Sequence, residues 1–171
     1  IDIQFSRGID VASRSQGDVG EGTPLSRGSG KNNFSHFKLD TTYAVALDKN
    51  LEFNINTGGQ LSLDDLLNSE QSSITGPDKL IGFTSGSISG DESWYFRGQL
   101  NYKKKLSNKL TLAPYVYGAT GVSYTLTPTA TENRATAAKS IGLGLKMDGI
   151  DNYFFDKNIS AKVEYLSLIH I

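Results

Sequence analysis

Glu52, Asn54, Asn56 and Gln60 recur at even spacing, and Arg97, Gln99 and Asn101 repeat that spacing further along the chain. In a strand this puts each set on one face. Carboxylate, amide and guanidinium groups mixed in this way can hydrogen-bond water or a polar chain, and neither set pairs a nucleophile with a base. Other candidates for chemistry are weaker. Gly28-Ser29-Gly30-Lys31 hints at a phosphate loop, but the first glycine of the required spacing is missing and Asn32 replaces Ser or Thr. Gly142-x-Gly144 is half a dinucleotide fingerprint inside a strand, where small inward-facing residues explain it better. His36 and His170 form no pair suited to metal or triad chemistry. Asp64-Asp65 and Asp91-Glu92 could bind a cation, but read more simply as solvated loop charges. The expectation is no enzyme, no cofactor and no metal, for want of any convergent cluster.

The elements that carry the two polar sets are strands with two unlike faces. In Ser93–Lys103, Trp94, Phe96, Gly98, Leu100 and Tyr102 share one face, while Tyr95, Arg97, Gln99, Asn101 and Lys103 share the other. Six more segments alternate likewise: 1–6, 34–47, 51–63, 110–117, 140–147 and 159–165. One face suits lipid and the other water. The links between segments run long (11–33), short (48–50), long (64–92), short (107–109) and medium (125–133), with roughly ten residues around 148–158. Strands that cross a membrane need about 9 to 11 residues, and outer-membrane barrels alternate tight periplasmic turns with long outer loops. The pattern therefore predicts an all-β fold, an antiparallel transmembrane β-barrel represented by about seven strands.

Composition permits this. The chain has 171 residues, no cysteine, a net charge of −1, a pI near 6.1 and a mean hydropathy of −0.32. Inward polar residues lower the average hydropathy of a barrel, so that value does not exclude one. Disulfides and thiolate metal sites are excluded, and near-neutral charge gives no case for nucleic acid. Lys103-Lys104-Lys105 reads as a solvated strand end at the membrane edge. Both ends suggest a cut chain. Ile1 lies already inside a strand, and Leu166-Ser167-Leu168-Ile169-His170-Ile171 matches a translated sequencing adapter and reads as a non-native tail, in agreement with Leu166 falling where a polar inward residue is due. The barrel part is thus expected to cover 1–165.

Several ordered motifs carry a resemblance. Gly59-Gln60-Leu61-Ser62-Leu63-Asp64-Asp65-Leu66-Leu67, Ser69-Glu70-Gln71, Gly76-Pro77-Asp78-Lys79-Leu80-Ile81-Gly82-Phe83 and Ile88-Ser89-Gly90-Asp91 follow one another, with Ser6-Arg7-Gly8-Ile9 and Leu25-Ser26-Arg27 before them. Together they resemble the haemolysin secretion and activation proteins, the TpsB transporters of two-partner secretion. The resemblance implies a sixteen-stranded monomeric barrel in the bacterial outer membrane, preceded by periplasmic domains, which exports an unfolded partner exoprotein of TpsA type without nucleotide hydrolysis. It also implies that loop 64–92 folds back into the lumen. Alternation puts Glu52, Asn54, Asn56, Gln60, Arg97, Gln99 and Asn101 on the face toward that lumen, where a mixed polar surface is expected to bind the client only weakly.

One departure from the family pattern concerns the loop tip. There an Arg-Gly pair is expected, its arginine meeting an aspartate of the barrel wall. Here the tip reads Leu80-Ile81-Gly82-Phe83 and the wall motif Tyr117-Gly118-Ala119-Thr120-Gly121, so Ile81 and Ala119 stand where the two charges are due. Losing both partners can be near neutral, whereas losing one leaves an unpaired charge. The expectation is an apolar docking of Ile81 and Phe83 on the Tyr117/Ala119 wall. A non-export barrel, either a passive pore or a degenerate paralogue, and a soluble β-sandwich remain alternatives.

Overall fold

The computed structural model describes residues 1–9, 30, 33–107, 110–130, 132–151 and 157–170. Among these the elements are all strands: β1 (Asp2–Arg7), β2 (Ser35–Ala46), β3 (Leu51–Ser62), β4 (Ser72–Ser73), β5 (Ser89–Gly90), β6 (Glu92–Tyr102), β7 (Lys104–Ser107), β8 (Leu110–Tyr124), β9 (Ala135–Asp151) and β10 (Lys157–His170). The main sheet has the order β1-β2-β3-β6-β8-β9-β10, antiparallel throughout, with β7 also paired to β8. Each long strand pairs with its predecessor in the chain, the meander expected of a barrel wall built from hairpins. Of Leu25-Ser26-Arg27 and the Gly28–Lys31 segment, Gly30 is described, while 25–29 and 31 lie outside the described residues.

Alternation decides the faces. Trp94, Phe96, Val116, Ile141 and Leu143 stand exposed on one side, with Trp94 at 49% and Ile141 at 58%. Tyr95, Arg97, Tyr115, Tyr117, Ala119 and Ser140 are buried on the other. Cross-strand register keeps the faces in phase, since Arg97 stands opposite Ala119 and Tyr95 opposite Gly58. An apolar side left open and a polar side left covered make a partial β-barrel wall.

The last link differs from expectation. β9 runs through Asp151 and β10 starts at Lys157, directly opposite it, so the connection spans only 152–156 instead of the ten residues expected around 148–158. Pairing energy is gained at every ladder rung, and the polar sequence near Asp148 does not stop the strand. The same ladder continues through the predicted boundary at 165, with Leu166 opposite Gly142 and His170 opposite Ala138. Of the turn 107–109, Asn108 and Lys109 lie outside the described residues, as does Ile171. β6 ends where the Lys103–Lys105 run begins, and the register on β8 shifts between Lys105 and Ser107, a bulge at the strand end.

Candidate functional site

The long loop between β3 and β6 packs on the covered face of the sheet. β4 and β5 pair as a two-rung hairpin at its neck, and Thr75 bridges Leu80 just beyond. Lys79 N donates to Gly76 O and Leu80 N to Ile74 O, which closes the chain at Ile74 and Leu80 and curls 76–79 into a compact tip. Gly82 follows with φ of 95°, a left-handed conformation that a side chain would strain. Ile74, Leu80 and Ile88 are buried against Tyr95, Ala119 and Ala138 of the wall, with Phe83 packed at the rim. Gly121 makes room for this: a Cβ there would sit 3.2 Å from Ile74 Cδ1 and 2.9 Å from Trp94 O.

Apolar side chains of the loop pack on the wall, but they are not the set expected. Phe83 and Ala119 take part, Leu80 occupies the buried place expected of Ile81, and Ile81 is half-exposed. Tyr117, 2% exposed, lies under the guanidinium of Arg97 at 4.3 Å from ring centroid to Cζ instead of against the loop's apolar residues.

A second attachment is polar and closed. Asp91, fully buried, accepts from Leu66 N (3.0 Å) and Gln71 Nε2 (3.3 Å) at Oδ1, and from Leu126 N (2.8 Å) at Oδ2. Gln60 Nε2 donates to Glu70 O and Asp91 O, both at 3.1 Å. Asp91 is thus not the solvated loop charge expected, because two backbone amides and an amide side chain replace its hydration. Gln60 faces inward as expected but lies beneath the loop, holding it, and does not line open lumen. Asp65 accepts from Thr127 Oγ1 and Asp64 from Ser35 N. No cluster of potential metal ligands occurs among the described residues.

The tip reaches well down the wall. Arg97, 4% exposed, lies about 17 Å along β6 from Glu92 at a rise of about 3.4 Å per residue. Its Nη1 donates to Pro77 O (3.2 Å) and Lys79 O (3.3 Å), while Asn56 Nδ2 donates to Asp78 O (3.3 Å). Arg97 Nη2 is also held by Gln99 Oε1, and Gln99 Nε2 donates to Asn101 Oδ1 at 2.6 Å. Lys79 turns back to donate to Ser73 O (2.7 Å) and lies over the Tyr95 ring at 4.9 Å. Burial lowers its pKa below the ordinary lysine value, with nearby Asp40 opposing the shift.

Beneath the tip lies a concavity of about 670 Å³ whose lining includes Glu52, Asn54, Asn56, Arg97, Gln99 and Asn101, with Pro77 and Asp78 above. Six of the seven expected lumen residues thus meet in one place. Glu52 pairs with Lys103 at 2.8 Å near its rim, where both remain solvent-accessible and the pair contributes little.

Two tyrosines brace the wall on either side. Tyr95 lies across Gly58, its partner on β3, and its hydroxyl donates to Asp40 Oδ1 on β2 at 2.8 Å. Tyr115 lies across Gly144, its partner on β9, and its hydroxyl donates to Glu164 Oε1 on β10. A Cβ on Gly58 would stand 2.3 Å from Asp40 Oδ1, and one on Gly144 would stand 2.1 Å from Tyr115 Cζ. This explains the Gly142-x-Gly144 pattern, since Gly142 likewise lies under Tyr117. Sequence reasoning missed Lys79, Asp91 and both braces; glycines on the inward phase of a strand were the available signal for the braces.

The family model of the haemolysin secretion/activation protein ShlB/FhaC/HecB matches residues 1–147 of the chain. No curated protein and no solved structure matches it.

Proposed function

The chain belongs to the haemolysin secretion/activation protein family ShlB/FhaC/HecB, and from that premise we propose that its wall is part of an outer-membrane channel exporting an unfolded partner exoprotein. The loop between β3 and β6 is the plug of that channel, and the concavity below its tip is the vestibule the client enters. The observation that carries this reading is the loop itself. It lies on the polar face of a sheet whose other face is apolar and open, and leaves a space lined by Glu52, Asn54, Gln99 and Asn101 at the turn end of the strands.

Mixed polar residues solvate a passing backbone without retaining it, since tight binding would stall transport. A fully hydrated client needs no bond broken covalently, and its folding beyond the membrane supplies the direction. The client is of the TpsA type, and the barrel acts as a monomer.

A passive pore or degenerate paralogue is the competing reading, favoured by Ile81 and Ala119 standing where the family pattern has opposite charges. Co-expression with a candidate exoprotein separates the two. Export of that exoprotein to the medium by the intact outer-membrane protein carrying this chain is expected. A barrel that conducts ions in a planar bilayer but releases no exoprotein would overturn the export reading.

A further inference from the structure

Three successive main-chain carbonyls of the loop tip, those of Pro77, Asp78 and Lys79, accept hydrogen bonds from wall side chains, two from Arg97 and one from Asn56. The wall grips the tip by its backbone. The one long tip side chain, Lys79, points away to Ser73 O and the Tyr95 ring. Any extended polypeptide presents the same acceptors whatever its sequence, because every residue carries a carbonyl.

The donors are arranged in advance. The Arg97 guanidinium rests on the Tyr117 ring and is held by Gln99, so its planar fork is fixed before any acceptor arrives. Asn101 extends the row toward the concavity, accepting from Gln99, and its buried Nδ2 has no hydrogen-bond partner with the tip in place. A chain rising through the concavity thus meets Asn101, then Gln99, then Arg97.

The geometry points to a main-chain-binding site on the wall, centred on Arg97 and Asn56, that takes the carbonyls of an extended, unfolded polypeptide and holds the loop tip as its resident occupant. This rests on the export reading and deepens it. A client segment displaces the tip by supplying equivalent acceptors, so opening needs no recognition of client sequence. The exchange is close to balanced, since each hydrogen bond lost with the tip is regained with the client. The apolar contacts of Ile74, Leu80 and Ile88 fall on Tyr95, Ala119 and Ala138, and they tether the loop on both sides of residues 76–79 while that short tip swings.

The test uses a spin label on Asp78→Cys in the intact outer-membrane protein carrying this chain, reconstituted in lipid. The probe is an unstructured Gly-Ser repeat peptide, compared with polyethylene glycol of equal length, which has ether oxygens but no amide carbonyls. The peptide is expected to raise tip mobility saturably, a peptide of different composition to do so equally, and the polymer to leave it unchanged. Asn56→Ala and Arg97→Lys are each expected to shift the tip roughly tenfold toward the released state without peptide, the value of one charge-assisted or well-placed hydrogen bond. Arg97→Lys keeps the charge but loses the fork, and Asn56→Ala leaves the strand intact, so folding is preserved and checked by heat-modifiable gel mobility. A tip that stays immobile with peptide, or in both variants, overturns the site and leaves a static plug. Peptide displacement without exoprotein export upholds the site and sinks the export reading; export with an immobile tip does the reverse.

Discussion

At its neck the long loop meets the wall through dehydrated contacts, with Leu80 and Asp91 both fully buried, whereas at its tip it meets side-chain donors bordering an open 670 Å³ concavity. The neck depends on shape and on particular residues: an isoleucine that fits beside Gly121, a carboxylate that satisfies two amides. The tip is held by its backbone acceptors, with the Lys79 side chain folded back over the Tyr95 ring beside them. Contacts that exclude water are lost all at once and at high cost, while hydrogen bonds to main-chain carbonyls can be exchanged one for one with another chain. One loop can therefore be anchored permanently at one end and released at the other.

The sharpest way to break this contrast is at Asp91. Asp91→Ala leaves the amides of Leu66 and Leu126 without an acceptor in a buried site, an expected loss of about 3 kcal/mol or more of unfolding free energy, read from denaturant titration of the detergent-solubilised protein. The loop should also become sensitive to external protease. If stability and protection both survive, the neck is not the permanent anchor.

Next in size is a pair of neighbours in the chain. Leu80→Ala is expected to cost about 2–4 kcal/mol through the cavity it leaves, and Ile81→Ala less than about 1 kcal/mol. Equal effects would return Ile81 to the core and undo the placement of the tip.

The two tyrosine braces sharpen the comparison across the wall. Gly58→Ala and Gly144→Ala each push a side chain into a ring or carboxylate with an expected cost of about 1–3 kcal/mol, read as lowered thermal unfolding in detergent. Gly118→Ala, on the open face with nothing near its Cβ, serves as the neutral control.

The smallest effect is a pH dependence at Lys79. Burial lowers its pKa in the docked loop, so between that lowered value and the ordinary lysine value the docked state binds fewer protons than the released one. Docking is weakest at lower pH, where both states carry the charge, and strengthens as pH rises through the window. Proteolysis of the loop should slow correspondingly in alkaline solution, and Lys79→Met should flatten the trend.

The alternation of Trp94 with Tyr95 and of Val116 with Tyr117 made the strands, their two faces and the inward set from Glu52 to Asn101 readable from sequence. Side-chain direction in a strand follows from local backbone geometry, with a period of two that neighbours in the chain reveal. The extent of the last hairpin escaped that reading, because Asp148 and its neighbours are polar while the rungs that hold them come from another strand. Loop residues have no period, so nothing local distinguishes Leu80 from Ile81 or marks Asp91 as buried. Their fates depend on Tyr95, Ala119, Ala138 and Leu126, residues brought near only once the sheet has formed. The pattern of residue types alone determined a two-faced wall with a polar interior. Only the tertiary structure decided how the loop is fastened to it, since burial of a charge or a side chain is a property of the surroundings and not of the residue.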